Sequence, residues 1–426
     1  MIDSIIERLS GKSLLILGFG REGKSTLRFL QKYVPDATVA IADRNENAFE
    51  TIKDLNIPCF SGDDYLRVIN DYDIVIKTPG ISLKDVDIHG VDITSQTDLF
   101  LSAFHSQTIG ITGTKGKSTT TSLIYHLLKS SGRKAILTGN IGIPCFDIIQ
   151  DIDNKSVIVY ELSAHQLEYV HQSPRVGVLL NVFEEHLDHF GTFERYKQSK
   201  LNLLRYMGDE DYAVIHESLM DDVLPLGVNS VVFSNLDFDE EIDWTALPLM
   251  GAHNRLNVKA ALAACSEYGV DYHELIPYLY TFTPLEHRLE PVGTFGGVTF
   301  VNDSISTIPQ AAISAVEALG KVDFLLLGGF DRGIDYEPLV GFLKENPVPH
   351  LLFTGEAGRR MMSLLQDAHV VTEMVVYANM EEAFDYVKSK AKEGDVCLLS
   401  PAASSYDQYK NFEERGGKFK SLARKF

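Results

Sequence analysis

Residues 110–119 read Gly-Ile-Thr-Gly-Thr-Lys-Gly-Lys-Ser-Thr, a stretch whose side chains suit one kind of chemistry. Gly113 and Gly116 let the backbone wrap closely round an anion, with Thr114 and Lys115 completing the turn. Lys117 can reach terminal phosphates, and the Ser118 or Thr119 hydroxyl can ligate Mg²⁺. Ile111 stands six residues before Lys117, where the strict phosphate-loop pattern has Gly. The apolar run 108–111 predicts a buried strand before the turn. The span 118–130, with Leu123, Ile124, Leu127 and Leu128 at helical spacing, predicts a helix after it. Strand, glycine turn and helix in that order predict a nucleoside triphosphate site.

Two acidic stretches could complete it. The strand predicted at 157–160 delivers Glu161 to its carboxyl tip, where a second Mg²⁺ ligand belongs beside a phosphate loop. The apolar strand 176–180 leads into Glu184, Glu185, His186, Asp188 and His189. That crowding suits either a hydrolytic metal site or a single His acting as a Mg²⁺ ligand, and the loop upstream favours Mg²⁺ over zinc. A helix predicted at 193–207 carries Lys197 and Lys200. Asn254 lies near the start of an alanine-rich helix, where its type suits an N-cap more than a ligand contact.

The elements that position these groups form a repeating α/β pattern. Strand 13–17 runs into Gly18-Phe19-Gly20-Arg21-Glu22-Gly23, and strand 39–42 ends at Asp43-Arg44, where an acidic residue would meet a ribose. Alone, this turn suggests a nicotinamide oxidoreductase, which would leave the phosphate loop, Glu161 and His186 unused. Strand 74–77 ends at Thr78-Pro79-Gly80, at the sheet edge where open α/β folds bind ligands. From 298 onward strands and helices alternate again, with polar clusters at the strand ends: 302–304, 328–333 and 400–407. Composition shifts near 84–96 and just before 284. The expected fold class is therefore α/β with three domains, at 1–92, 93–283 and 284–426. The first is Rossmann-like, the central one P-loop ATPase-like and the last Rossmann-like.

With 426 residues and a formal net charge of −20, the chain is poorly suited to nonspecific binding of nucleic acid or an acidic membrane. No window approaches the about 18 apolar residues that span a bilayer, and Met1-Ile2-Asp3-Ser4 lacks the basic flank of an export signal. The four cysteines are scattered and form no CxxC. These features predict a cytoplasmic protein without membrane insertion, disulfides or a cysteine metal site.

Taken in order, several motifs resemble the Mur ligase family, ATP-dependent ligases that build the peptide of bacterial cell-wall precursors. They are Gly18 to Gly23, Gly113 to Thr119, Gly139-Asn140-Ile141-Gly142, Glu161 to Glu168, Asn181 to Asp188, Lys200, His253-Asn254, His287-Arg288, Asn302-Asp303-Ser304, and Ser400 to Phe412. Within the family the chain is similar to members that add glutamate to UDP-N-acetylmuramoyl-L-alanine. The resemblance implies that the first glycine turn holds UDP near Phe19, Arg21, Asp43, Arg44 and Gly80, with Asn140 on the muramoyl substrate. It implies ATP phosphates at Lys117 and two Mg²⁺ ions held by Ser118, Glu161, His186 and a carbamylated Lys200. It further implies adenosine at Asn254, Arg288 and Asp303, the amino acid at Arg332, Ser405 and Phe412, and a monomeric enzyme. Ile305 stands where D-glutamate enzymes commonly carry lysine, and Tyr406 where many relatives carry leucine. Lys115 stands where relatives often carry asparagine. D-glutamate is the expected amino acid, with L-glutamate or another acidic residue as the alternative.

Overall fold

A computed structural model describes residues 1–249 and 251–426, with Asp188 described by its backbone alone. The chain divides into two compact units, Met1–Leu247 with Leu256–Phe282, and Pro248–Arg255 with Thr283–Phe426. As the sequence predicts, the architecture is α/β with parallel sheets. No helix among the described residues is long and apolar enough to cross a membrane.

The first unit contains two sheets. The N-terminal one runs Cys59–Phe60, Thr38–Ala42, Ser13–Leu17, Ile74–Lys77, Asp92–Thr94, all parallel. Its central strands are apolar almost throughout, as strands covered on both faces must be. The second sheet runs Ser230–Val232, Tyr212–Ile215, Val176–Leu179, Thr108–Thr112, Val157–Glu161, Ala135–Gly139, again parallel. Leu123, Ile124, Leu127 and Leu128 of helix Lys117–Ser130 are fully buried, each worth about 1.5 to 3 kcal/mol in water-excluded apolar surface. The two sheets share one apolar core, in which the Phe29 ring stacks on Phe146 at 4.2 Å.

Two glycines decide how close a helix lies on the second sheet. Gly110 and Gly177 are register partners on adjacent strands. A Cβ on Gly110 would come within 2.9 Å of Pro174 and 3.0 Å of Leu203, and one on Gly177 within 2.6 Å of Leu204 and of Met207. Bare backbone at these positions lets helix Phe193–Arg205 settle onto the strands. Lys200 on that helix is thereby carried in, 1% exposed.

The second unit is a sheet in the order Glu290–Phe295, Val298–Asn302, Val396–Leu399, Phe324–Gly328, His350–Thr354, Glu373–Val376. The first pair is antiparallel with an irregular register at Gly293, and the remaining pairs are parallel. Phe300 stacks on Phe384 at 5.4 Å, and Phe419 of helix Phe412–Ala423 meets both rings edge-on.

Candidate active site

The glycine turn follows strand Thr108–Thr112, and helix Lys117–Ser130 starts at its far side. Gly116 precedes that helix in the left-handed region at φ 86°, and a Cβ there would fall 2.5 Å from Asn257 Oδ1. Only glycine meets both conditions without strain. A Cβ on Gly113 would sit 2.9 Å from Leu180 Cβ. Asn181 fixes the outer limb of the turn: its carbonyl accepts from Thr114 N at 2.9 Å, and its Oδ1 accepts from Lys115 N at 2.9 Å. Ser118 and Thr119 lie half-buried in the first helical turn.

Two lysines converge on one carbonyl. Lys117 Nζ donates to Gly113 O at 2.8 Å and Thr114 O at 2.9 Å, while Lys200 Nζ donates to the same Gly113 O at 2.8 Å. Lys200 also lies over the Tyr196 ring at 4.9 Å. Burial, reinforced by the charges of Lys117 and Lys115, holds its pKa well below the usual lysine range, with Glu185 acting in the opposite sense. Lys115 pairs with Glu185 at 2.6 Å.

Glu161 is the last residue of its strand and 1% exposed. Its Oε1 accepts from Asn140 Nδ2 at 2.8 Å, but its Oε2 is buried with no hydrogen-bond partner among the described residues. A buried carboxylate oxygen without a donor is costly. This is the donor chemistry a hard cation meets, so the residues present fit Mg²⁺. His186 is exposed and adopts the left-handed region at φ 57°, unusual for a residue with a Cβ. Its carbonyl accepts from His189 N at 3.1 Å and Phe190 N at 3.0 Å.

The acidic crowd at 184–189 does not act as one cluster. Glu185 turns to Lys115, Glu184 is exposed, and His189 Nε2 lies 3.1 Å from Glu168 Oε2. The Asp188 side chain lies outside the described residues. Among the described residues no three metal-ligating side chains gather, so the hydrolytic metal site, one of the two sequence expectations, finds no support, although Glu185 and His186 lie 3.9 Å apart and His186 and His189 both face His165.

At the N-terminal turn Asp43 closes onto the loop, Oδ2 accepting from Phe19 N at 2.7 Å and Oδ1 from Asn45 N at 2.8 Å. Phe19 is 1% exposed, and its ring packs against Phe49. Arg21 donates to Gly142 O at 2.7 Å, exposed Arg44 pairs with Asp63 at 3.0 Å, and Gly80 is exposed beyond strand Ile74–Lys77.

The remaining sequence candidates belong to the second unit. Asn254 is buried inside the first turn of helix Ala252–Glu267, so it is not that helix's N-cap. Arg288 is half-buried. Asp303 is 5% exposed and accepts from Ser400 Oγ at 2.7 Å, Leu289 N at 3.1 Å and Ser306 Oγ. Burial raises its carboxyl from 3.8 to about 6 against those hydrogen bonds. Arg332 is exposed and donates to Thr307 O at 2.8 Å, Ser405 is buried, and Phe412 opens the last helix.

Sequence inspection passed over Lys77, which is 2% exposed, 3.1 Å from Glu168 Oε2 and 5.2 Å from the centre of the Tyr169 ring. It also assigned no role to His165, whose ring faces His186 at 4.8 Å and His189 at 4.4 Å. Burial, those two rings and Lys77 push its pKa down to about 4. The only signal in the sequence was a lysine in an otherwise apolar strand.

Residues 111–225 match a family model described as the Mur ligase middle domain, and residues 287–403 one described as Mur ligase, glutamate ligase domain. Over 441 residues the chain is 33% identical to the UDP-N-acetylmuramoylalanine--D-glutamate ligase of Geobacillus sp. (strain WCH70), covering 96% of each. It is 32% identical over 452 residues to the protein of the same name from Desulfitobacterium hafniense (strain Y51), covering 98% of each. Its fold is similar to that of the MurF ligase from Thermotoga maritima solved in complex with ADP, with a TM-score of 0.58, 17% identity and 100% of both chains covered.

Proposed function

Because the chain belongs to the Mur ligase family, we propose that it joins D-glutamate to UDP-N-acetylmuramoyl-L-alanine in the cytoplasm, converting ATP to ADP and phosphate. The observation that carries this reading is the meeting of Lys117 and Lys200 on Gly113 O, in a sheet that also buries the unmet Glu161 Oε2. A lysine reaching across a glycine turn suits a polyphosphate, and an unsatisfied carboxylate oxygen suits a divalent metal.

Mg²⁺, as two ions held by Ser118, Glu161, His186 and a carbamate on Lys200, would neutralise repulsion between two anionic reactants. Lys117 would swing from the loop carbonyls to the γ-phosphate and draw off charge as the substrate carboxylate attacks phosphorus. The loop Gly113, Thr114, Lys115, Gly116 and Thr119 cradles the phosphates. The α-amine of glutamate then attacks the acyl phosphate, and phosphate leaves. Lys200 suits carbamylation because a buried amine with a lowered pKa is neutral enough to add to CO₂, losing a proton. Its N–H would keep Gly113 O as acceptor.

The other roles follow the family pattern. Phe19, Arg21, Asp43, Arg44 and Gly80 would take the UDP group, and Asn140 the muramoyl part. Asn254, Arg288 and Asp303 would take adenosine, and Arg332, Ser405 and Phe412 the amino acid. Domains at 1–92, 93–283 and 284–426, in a monomer, would divide this work. Phosphate release tests the reading, using purified UDP-N-acetylmuramoyl-L-alanine, ATP and Mg²⁺ with D-glutamate, L-glutamate or lysine. Release is expected to depend on the UDP substrate and to be fastest with D-glutamate. Turnover with L-glutamate alone would move the assignment to the other enantiomer, and amino-acid-independent hydrolysis would overturn it.

A further inference from the structure

The second unit buries a cation that the roles above leave unused. Arg415, on helix Phe412–Ala423, is 3% exposed. Its Nε donates to Ser304 Oγ at 3.0 Å, its Nη2 to Ser304 O at 2.8 Å and Ala403 O at 3.1 Å, and its Nη1 lies 3.5 Å from Gly328 O. These acceptors sit at or just past the ends of strands Val298–Asn302, Phe324–Gly328 and Val396–Leu399. All are uncharged, and among the described residues no carboxylate lies within 4.0 Å of the guanidinium. Burial lowers its pKa to about 10, with Tyr377, Asp407 and Tyr409 acting against it, so it stays protonated at neutral pH. Asp407 offsets part of this buried charge without touching the guanidinium, and a fork of this shape holds several acceptors at once.

The backbone it clamps is not relaxed. Ala402, fully buried, adopts the left-handed region at φ 54°, and the next carbonyl is the one Arg415 holds. A Cβ on Gly329 would fall 2.2 Å from Ser404 O and 3.2 Å from Arg415 Nη1, so the turn lies directly on the guanidinium. Ser304 Oγ donates onward to Phe412 O at 2.8 Å. Ser404 Oγ, beside Ser405, is buried with no hydrogen-bond partner among the described residues.

We propose that Arg415 is a positioning residue for the incoming amino acid: it ties together the strand ends that present Ser405, Phe412 and Arg332. This rests on the ligase reading, and the experiment separates the two. Arg415→Ala, Arg415→Lys and Ser304→Ala are assayed for the KM of D-glutamate. Each is also assayed for acyl phosphate made without amino acid and trapped as the hydroxamate. Arg415→Ala is expected to raise the glutamate KM about 30-fold or more, with hydroxamate formation within about twofold of wild type. Arg415→Lys should fall between, and millimolar guanidinium should restore part of the loss in Arg415→Ala. Parallel loss of both reactions would mean a merely structural role and would overturn the proposal, as would an unchanged KM. Should the Arg415 variants fail to fold, Ser304→Ala decides: a rise in glutamate KM of about fivefold supports the proposal and no change overturns it. A wild-type chain that releases phosphate steadily with neither amino acid nor hydroxylamine present would sink the ligase reading and this inference with it.

Discussion

Two glycine turns link strand to helix in the first unit, and they treat charge in opposite ways. At Gly18 to Gly23 the chain brings its own anion, since Asp43 accepts from Phe19 N at 2.7 Å. At Gly113 to Lys117 the side chain closing on the loop is the neutral amide of Asn181, and Lys117 and Lys200 gather on Gly113 O. The first turn has partly neutralised the positive end of its helix, whereas the second leaves that end open and sets Lys117 beside it. A glycine turn therefore reports a close backbone approach, and the neighbouring side chains decide what it approaches.

The largest effect should come from stripping charge at the second turn. Lys117→Met is expected to lower kcat by about 10³-fold or more, while Asp43→Asn, measured in the same steady-state assay, should keep kcat within about threefold and raise the KM of the UDP substrate. Equal losses at the two turns would break the comparison. Next, Lys200→Ala should lose about 10²-fold in rate and regain part of it with added formate or acetate, which can occupy the place of a carbamate. Wild-type rates in that variant would falsify the carbamate.

Backbone changes sharpen the comparison further. Gly116→Ala must accept φ 86° and a Cβ 2.5 Å from Asn257 Oδ1, and should cost about 2 to 4 kcal/mol in urea unfolding. Gly20→Ala, at φ −75° with nothing within 4 Å of the added carbon, should change stability by less than about 0.5 kcal/mol.

A further expected effect is a pH dependence at Asp303, a carboxylate unlike Asp43 in being 5% exposed. Its folded pKa of about 6 lies above the ordinary 3.8. A raised folded pKa contributes stability that is fully present below pH 4 and is lost as pH rises through 6. Asp303→Asn should flatten that slope, removing about 2 kcal/mol of the difference between pH 4 and pH 7 in chemical denaturation. A wild-type curve with no fall across that window would contradict it.

The strands leading into the loops were legible because each is an apolar run ended by glycine or a charged residue, and the helix after Lys117 because its leucines keep helical spacing. Glu161 was legible for the same reason, standing where a strand must end. Strand Glu290–Phe295 was not, since it carries Pro291 and Gly293 and pairs antiparallel beside an irregular register. Helix Phe412–Ala423 was hidden by Gly416 and Gly417, and Gly416 is needed there because a Cβ would strike His287 Nδ1 at 2.1 Å. Arg415 and Lys77 could not be singled out, because residue type does not tell a buried cation from a solvated one. Lys200 stood out by family resemblance alone. Its burial depends on Gly110 and Gly177, two small residues far from it in sequence.

Oxygen transfer tests the central claim most directly. The UDP substrate is prepared with ¹⁸O in its carboxylate and turned over with ATP, Mg²⁺ and D-glutamate, and the released phosphate is analysed by mass. If the loop at Gly113 to Thr119 seats the triphosphate whose γ-phosphorus that carboxylate attacks, each phosphate released carries one ¹⁸O. Unlabelled phosphate accompanying the amide product would contradict the account.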